Sequence, residues 1–374
     1  MHKFILLFFI ILFFLLTGLI VLTTIPQIDR IDFRAFYTGG LLIRHGVQED
    51  FYNLQTQYDW QHMLFPSLEK SKLYPFFNPP FVALGYSLLT FFPLVAAYTL
   101  LSIINALIFL LCCFFLFKKI DKNRQSFFAI FILLFLPVYI VFAQGQSSFM
   151  LLLGLILSWF YFKKNKPFLA GVSLAFLIIK PQLLLLPVLL LLWKRQWRAL
   201  LGIVSVGVLL FILSWVLIGW TGLVQYSQLL LASSSMGEQY GIHPMVQPTI
   251  RGFMQLVFLT PFLQDIWIPL SIGIIGVIIL SFWGWRGKWQ PTGDRFDRQW
   301  GILVIAMILG SLHTNYQDLV LLLFPFVVWL NSIKSQTRLF IAGGIINFLF
   351  LLFFIHTSLL APFFLAIMIL LIPL

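Results

Sequence analysis

The sequence predicts an all-α polytopic membrane protein with about twelve transmembrane helices, each needing roughly 20 apolar residues to cross a bilayer. Hydrophobic residues make up 61% of the 374 and charged residues 10%, with a mean hydropathy of +0.99. That apolar area exceeds what one soluble core can bury, so a water-soluble globule is excluded. Apolar runs at 4–25, 94–117, 197–219, 266–285 and 338–356 have spanning length. Shorter runs between them are ended by Pro and Gly.

The first run follows Lys3 and is too long for a signal h-region. No small-residue cleavage site follows Thr23-Thr24-Ile25-Pro26, so the run reads as a retained anchor. Cys112 and Cys113 are adjacent in an apolar run and suggest neither a disulfide framework nor a metal site.

Lys and Arg gather in short breaks around 118–124, 163–166, 194–198, 286–298 and 334–338, each separated from the next by two apolar segments. With Lys3, these breaks hold 17 of the 24 basic and 3 of the 12 acidic residues. By the positive-inside rule this face is cytoplasmic and both termini lie on it. The +12 charge is then a topology signal, and nucleic acid is not an expected partner. Segment 79–92 is short and bounded by prolines. It reads as a juxtamembrane helix in the first outer loop; the alternative, a thirteenth span, would invert the first loop or break the charge rule. A single membrane domain over 1–374 results, with outer loops at 26–93 and 221–265.

Five polar stretches then share the outer face: 26–75, 144–148, 180–182, 221–265 and 313–318. Asp32 follows the first span, flanked by Arg30 and Arg34, and a carboxylate there suits a general base towards a sugar hydroxyl or belongs to an interfacial charge cluster with an aromatic belt, the commoner arrangement for a single such residue. Tyr74-Pro75-Phe76-Phe77-Asn78-Pro79-Pro80 brings aromatic rings to the depth where the chain re-enters the membrane; they suit sugar stacking or interface anchoring. Lys180, after an apolar run, suits a phosphate held at the interface or snorkels to headgroups. Arg251, in the second outer loop with Ser233-Ser234-Ser235 and Gln247, offers a fork for phosphate or belongs to a solvated connector. His313 and Asp318 interrupt two apolar runs, where an unpaired polar group is costly. HExxH, CxxC, Walker and GxGxxG patterns are absent, so neither metal nor nucleotide cofactor is expected.

The order of these motifs resembles glycosyltransferase family 87, polytopic GT-C enzymes that include polyprenol-phosphate-mannose-dependent α-1,2-mannosyltransferases. The stretches that carry the resemblance are DFRAFYTGGLLIRHG from Asp32, DFYN from Asp50, YPFFNPPF from Tyr74 and GQSSFMLLLG from Gly145. AGVSLAFLIIKPQLLLLP from Ala170, QPTIRG from Gln247 and SLHTNYQDLVLLLFP from Ser311 complete it. Some relatives have Tyr-Pro-Pro where this chain has Tyr74-Pro75-Phe76, with Pro79-Pro80 later.

The resemblance implies inverting transfer of a hexose, with mannose as the family's example, from a polyprenyl-phosphate-sugar donor to an extracytoplasmic glycolipid or glycan acceptor. Asp32 falls on the catalytic Asp, His313 on the late-loop His, and Lys180 on a Lys-Pro position. Lys180, Arg251 and Arg34 are expected at the donor phosphate; Tyr37, Tyr74, Gln146, Gln247 and Asp318 are expected to contact substrate. The rival expectations are a lipid or solute transporter using the same outer cavity, and a GT-C enzyme for another sugar. A transporter would favour internal repeats, and none is evident.

Overall fold

A computed structural model describes residues 2–233, 236, 240, 241, 243–332, 335–352 and 356–371. Ser234, Ser235 and Lys334, noted above, lie outside the described residues, as do residues 353–355 of the last long apolar run. The described residues are helical, without strands. The first half contains α1 His2–Thr24, α2 Phe33–Arg44, α3 Leu54–Leu64, α4 Pro80–Ser87, α5 Leu94–Lys119, α6 Gln125–Leu134, α7 Leu136–Gln144 and α8 Ser148–Lys163. The second contains α9 Pro167–Leu174, α10 Leu185–Trp193, α11 Trp197–Ala232, α12 Ile250–Val257, α13 Trp267–Gly284, α14 Asp294–Gly310, α15 Leu323–Ser332, α16 Gln336–Leu352 and α17 Leu360–Leu371.

Among the described residues, four helices are long and apolar enough to cross a membrane: Leu7–Arg30, Leu94–Lys119, Trp197–Ala232 and Leu263–Gly284. The pair Lys122–Leu134 and Leu136–Gln144, bent by 45°, makes five if it is one span. The protein is therefore an integral membrane protein, with fewer full-length spans than the twelve expected. The difference has a physical cause. Prolines at positions 137 and 181 cannot donate to the helical ladder, and each stands at the start of a new helical piece, so the apolar sequence is divided into shorter lengths.

The two classes of helix divide the work of burial. The long spans keep between 11% and 44% of their residues buried, and α11 turns Leu209, Val216 and Trp220 outward. The shorter α8, α14 and α15 supply the core, where Leu151, Leu155, Val304, Ile308, Leu323 and Leu330 are fully enclosed. Close approach sets the position of α9. A Cβ on Gly171 would lie 1.9 Å from the Ala199 carbonyl oxygen of α11. Only a glycine allows the two backbones to meet there.

Three elements were not foreseen as such. The first outer loop folds into α2 and α3 before the short Pro80–Phe91 segment, which is too short for a straight span. The region 221–265 is only partly a loop, since α11 continues through a break at Gly219 to Ala232, and α12 follows. The two ends of the bundle also differ in chemistry. Lys119, Lys163 and the Trp159 indole all converge on the buried Asp297 carboxylate at 2.5–2.8 Å. Lys194 donates to the Gly287 carbonyl nearby in sequence to that cluster, at 2.9 Å. Among the described residues, the basic turns around 118–124, 163–166, 194–198 and 286–298 are thus joined by these contacts. From Lys163, the 16 residues of α8 carry the chain about 24 Å to Ser148, at the opposite end of the bundle.

Candidate active site

At that opposite end lies a cavity of about 400 Å³. Its wall is built by six separate stretches of chain that contribute Asp32, Tyr74 to Asn78, Gln146, Ile179 to Gln182, Arg251, and Leu312 with His313 and Asn315. Tyr226, Tyr240 and Gly241 close another side.

Asp32 sits at the N-terminus of α2, but its carboxylate does not cap that helix. It accepts instead from Gln146 Nε2 at 2.6 Å, while its own backbone N–H donates to Gln144 Oε1 at 3.1 Å. The Gln144–Gln146 turn is a helix stop. Gly145 has φ +63°, and the N–H groups of Gly145 and Gln146 close on Phe142 and Val141 carbonyls in a Schellman pattern. A Cβ on Gly145 would also meet the Phe33 Cβ at 2.8 Å. Burial raises the Asp32 pKa above the ordinary value; the Gln146 bond, Lys180 and Arg34 oppose that rise, and Asp318 adds to it.

Lys180 follows the tight turn Ala175–Ile179 that ends α9. Its ammonium donates to both Asp318 oxygens, at 2.6 and 2.8 Å. Asp318 is 1% exposed and also accepts from Ser148 Oγ at 2.6 Å and the Asn315 N–H at 3.2 Å. With the Asn315 side chain it forms a capping box at the head of Tyr316–Leu322. The cost of burying Lys180 is met by a carboxylate within the protein, so a phosphate is not needed to explain it. Asp318 stands behind Lys180 and orients it, off the cavity wall.

His313 Nδ1 lies 2.9 Å from Gln247 Nε2. The amide donates, which leaves the ring proton on Nε2. The Gln182 amide holds the His313 carbonyl at 2.9 Å. Burial and the charges of Lys180 and Arg251 lower the His313 pKa to about 4, so the ring is neutral at pH 7. Arg251, 3% exposed, donates to Gln255 Oε1 and the Leu312 carbonyl, both at 3.2 Å, and so frames the same break. Gln247 sits behind His313, not on the wall.

The lowered His313 pKa predicts a pH effect on stability. Unfolding returns the ring to the ordinary histidine value of 6.5, so the unfolded chain binds more protons between about pH 4 and 6.5. Stability is complete above that window and falls as pH drops through it. Thermal unfolding in detergent should show this slope, and His313→Asn should remove its share; an unchanged slope would refute the neutral buried ring.

Tyr37 and Arg34 lie elsewhere than expected. The Tyr37 hydroxyl donates to the Phe92 carbonyl at 3.0 Å, and its ring packs on Phe33 inside an aromatic cluster. The Arg34 guanidinium lies 3.3 Å from the centroid of the Tyr74 ring and donates to the Asp29 carbonyl. One face of Tyr74 is therefore taken by a cation. Arg34 supports the wall from behind and does not line it.

Several wall residues had no role in the sequence reading. Asn78 donates to the Ile179 carbonyl at 3.3 Å and joins the aromatic stretch to the Lys180 turn. The buried Gln57 and Gln61 of α3 pair with the backbone at Phe76 and Tyr74, which holds this irregular stretch in place. Gln182 and Asn315 adjoin residues already singled out, and that adjacency is a usable signal. Tyr226, in an apolar helix, offers none.

A family model described as glycosyltransferase family 87 matches residues 76–312, well over half of the chain. The chain belongs to glycosyltransferase family 87. No curated protein and no solved structure matches it. A family 87 protein is a membrane glycosyltransferase, and the apolar spans described above agree with that. The matched region contains Gln146, Lys180, Gln247 and Arg251. It ends one residue before His313 and does not include Asp32.

Proposed function

We propose that this glycosyltransferase moves a hexose, mannose on the resemblance, from a polyprenyl-phosphate donor to a glycolipid or glycan acceptor with inversion. The supporting observation is one cavity that a carboxylate, Asp32, shares with an ammonium, a guanidinium and an imidazole N–H, contributed by Lys180, Arg251 and His313. In this reading Asp32 takes the proton of an acceptor hydroxyl as that oxygen attacks the anomeric carbon. The bond from that carbon to the phosphate oxygen breaks, and its electron pair leaves with the polyprenyl phosphate.

Charge growing on the leaving phosphate is stabilised by donors already in place. Lys180 uses two of its three N–H groups on Asp318, which leaves the third for the phosphate. His313 supplies a neutral N–H from Nε2, and Arg251 a second charge. Ala35, Phe36, Phe76 and Leu312 on the wall suit the isoprenoid chain. The opposite placement of the basic turns supports a site on the extracytoplasmic side of the plasma membrane, with 1–374 as one multi-pass domain and both termini inside.

The test uses purified protein in lipid, a panel of polyprenyl-phosphate sugars and a matching panel of nucleotide sugars, with loss of donor as the readout. Consumption of a polyprenyl-phosphate hexose is expected. Turnover with nucleotide sugars alone would defeat the donor assignment.

A further inference from the structure

The short segment 144–148 touches both carboxylates of the site. Gln144 holds the Asp32 backbone, Gln146 holds its side chain, and Ser148 donates to Asp318 Oδ1 at 2.6 Å. The segment is itself anchored, because Asn105 donates to the Gln146 carbonyl at 2.9 Å. An ionised carboxylate can only accept, so the Gln146 amide must turn its NH2 to Asp32. Its Oε1 is left buried, without a hydrogen-bond partner among the described residues, in a side chain that lines the cavity.

We propose that Gln146 is a positioning residue for the transfer: its amide pins Asp32 Oδ2, so that Oδ1 is the oxygen that receives the acceptor's proton. The inference rests on Asp32 being the base. It replaces the substrate contact expected for Gln146 with a different task. The 2.6 Å bond sets the plane of the carboxylate. A base displaced by about 1 Å costs on the order of 10²-fold in rate. The other groups facing Asp32 are Lys180, Arg34, Asp318 and, from α4, Tyr86. Of the influences on Asp32, the Gln146 bond is the largest that opposes its burial.

Gln146→Leu and Gln146→Glu separate positioning from mere packing. Transfer from a polyprenyl-phosphate hexose is measured across a wide pH range, beside wild type and Asp32→Asn. Gln146→Leu is expected to lose about 10²-fold in kcat with little change in KM, and the acid limb of its profile moves to higher pH because a stabilising donor is gone. Gln146→Glu keeps the shape and must share a proton with Asp32. It is expected to work while the pair holds one proton and to lose activity at alkaline pH, where wild type stays level. A Gln146→Leu enzyme with wild-type kcat and acid limb, or a Gln146→Glu enzyme with a wild-type profile, overturns the proposal. Near-wild-type turnover by Asp32→Asn overturns the base assignment itself, and the proposal with it.

Discussion

Asp32→Asn lowers transfer by about 10²- to 10⁴-fold, the usual contribution of a general base, and leaves the protein at least as stable as wild type. The two halves of this expectation come from the same burial. A carboxylate enclosed by α2, the 144–148 turn and Lys180 has its pKa raised, so at equal pH it binds protons more readily folded than unfolded. Its contribution to stability is complete below the unfolded value and is lost as pH rises through the raised folded value. The ionised form of Asp32 therefore costs stability, and the neutral amide removes that cost. The rate should run the other way in wild type, rising with pH as the base ionises, with an acid limb above the ordinary carboxylate range. Transfer rates and thermal unfolding of the two proteins, measured side by side, decide the matter. An active Asp32→Asn protein, or an inactive one that is much less stable, would remove Asp32 from the chemistry.

The second large effect lies at Lys180 and Asp318. The side chains are 12% and 1% exposed, so removing one partner strands a largely enclosed charge. Asp318→Asn should cost about 3–5 kcal/mol of stability, the usual range for a broken buried pair. Lys180→Met should cost less, because Asp318 keeps its donors from Ser148 and the Asn315 backbone. The double variant Lys180→Met/Asp318→Asn should recover most of the stability yet stay inactive, since the cavity has lost its ammonium. A double-mutant cycle on unfolding midpoints measures the coupling. Additive losses would mean that the two groups do not depend on each other, contrary to their bidentate contact.

These two cases show how much of the site could be read before folding. Asp32, Lys180, Arg251 and His313 stood out because a charged or polar group in an apolar chain needs a reason, and all four reach the cavity. Tyr37 and Arg34 carried the same signal, being close to Asp32 in sequence. Helical geometry separates them: five residues on, Tyr37 turns into an aromatic cluster, and Arg34 passes beneath Tyr74. Closeness in sequence was a poor guide to a shared surface. The number of spans is hard to read from sequence for a related reason. Hydropathy measures how apolar a run is, and it does not tell a helix bathed in lipid from a shorter one enclosed by other helices, such as α14.

Composition and the spacing of basic residues were enough to determine a helical membrane protein with its polar stretches apart from its basic turns. Those properties depend only on transfer free energies summed along the chain. The tertiary structure alone decided what the polar groups do to one another. Lys180 and Asp318 are 138 residues apart, and Gln146 and Asp32 are 114 apart. Each pair trades a large desolvation cost for hydrogen bonds at 2.6 Å. Bonds of that kind depend on where helices end and at what angle they pack, and no local pattern in the sequence records it.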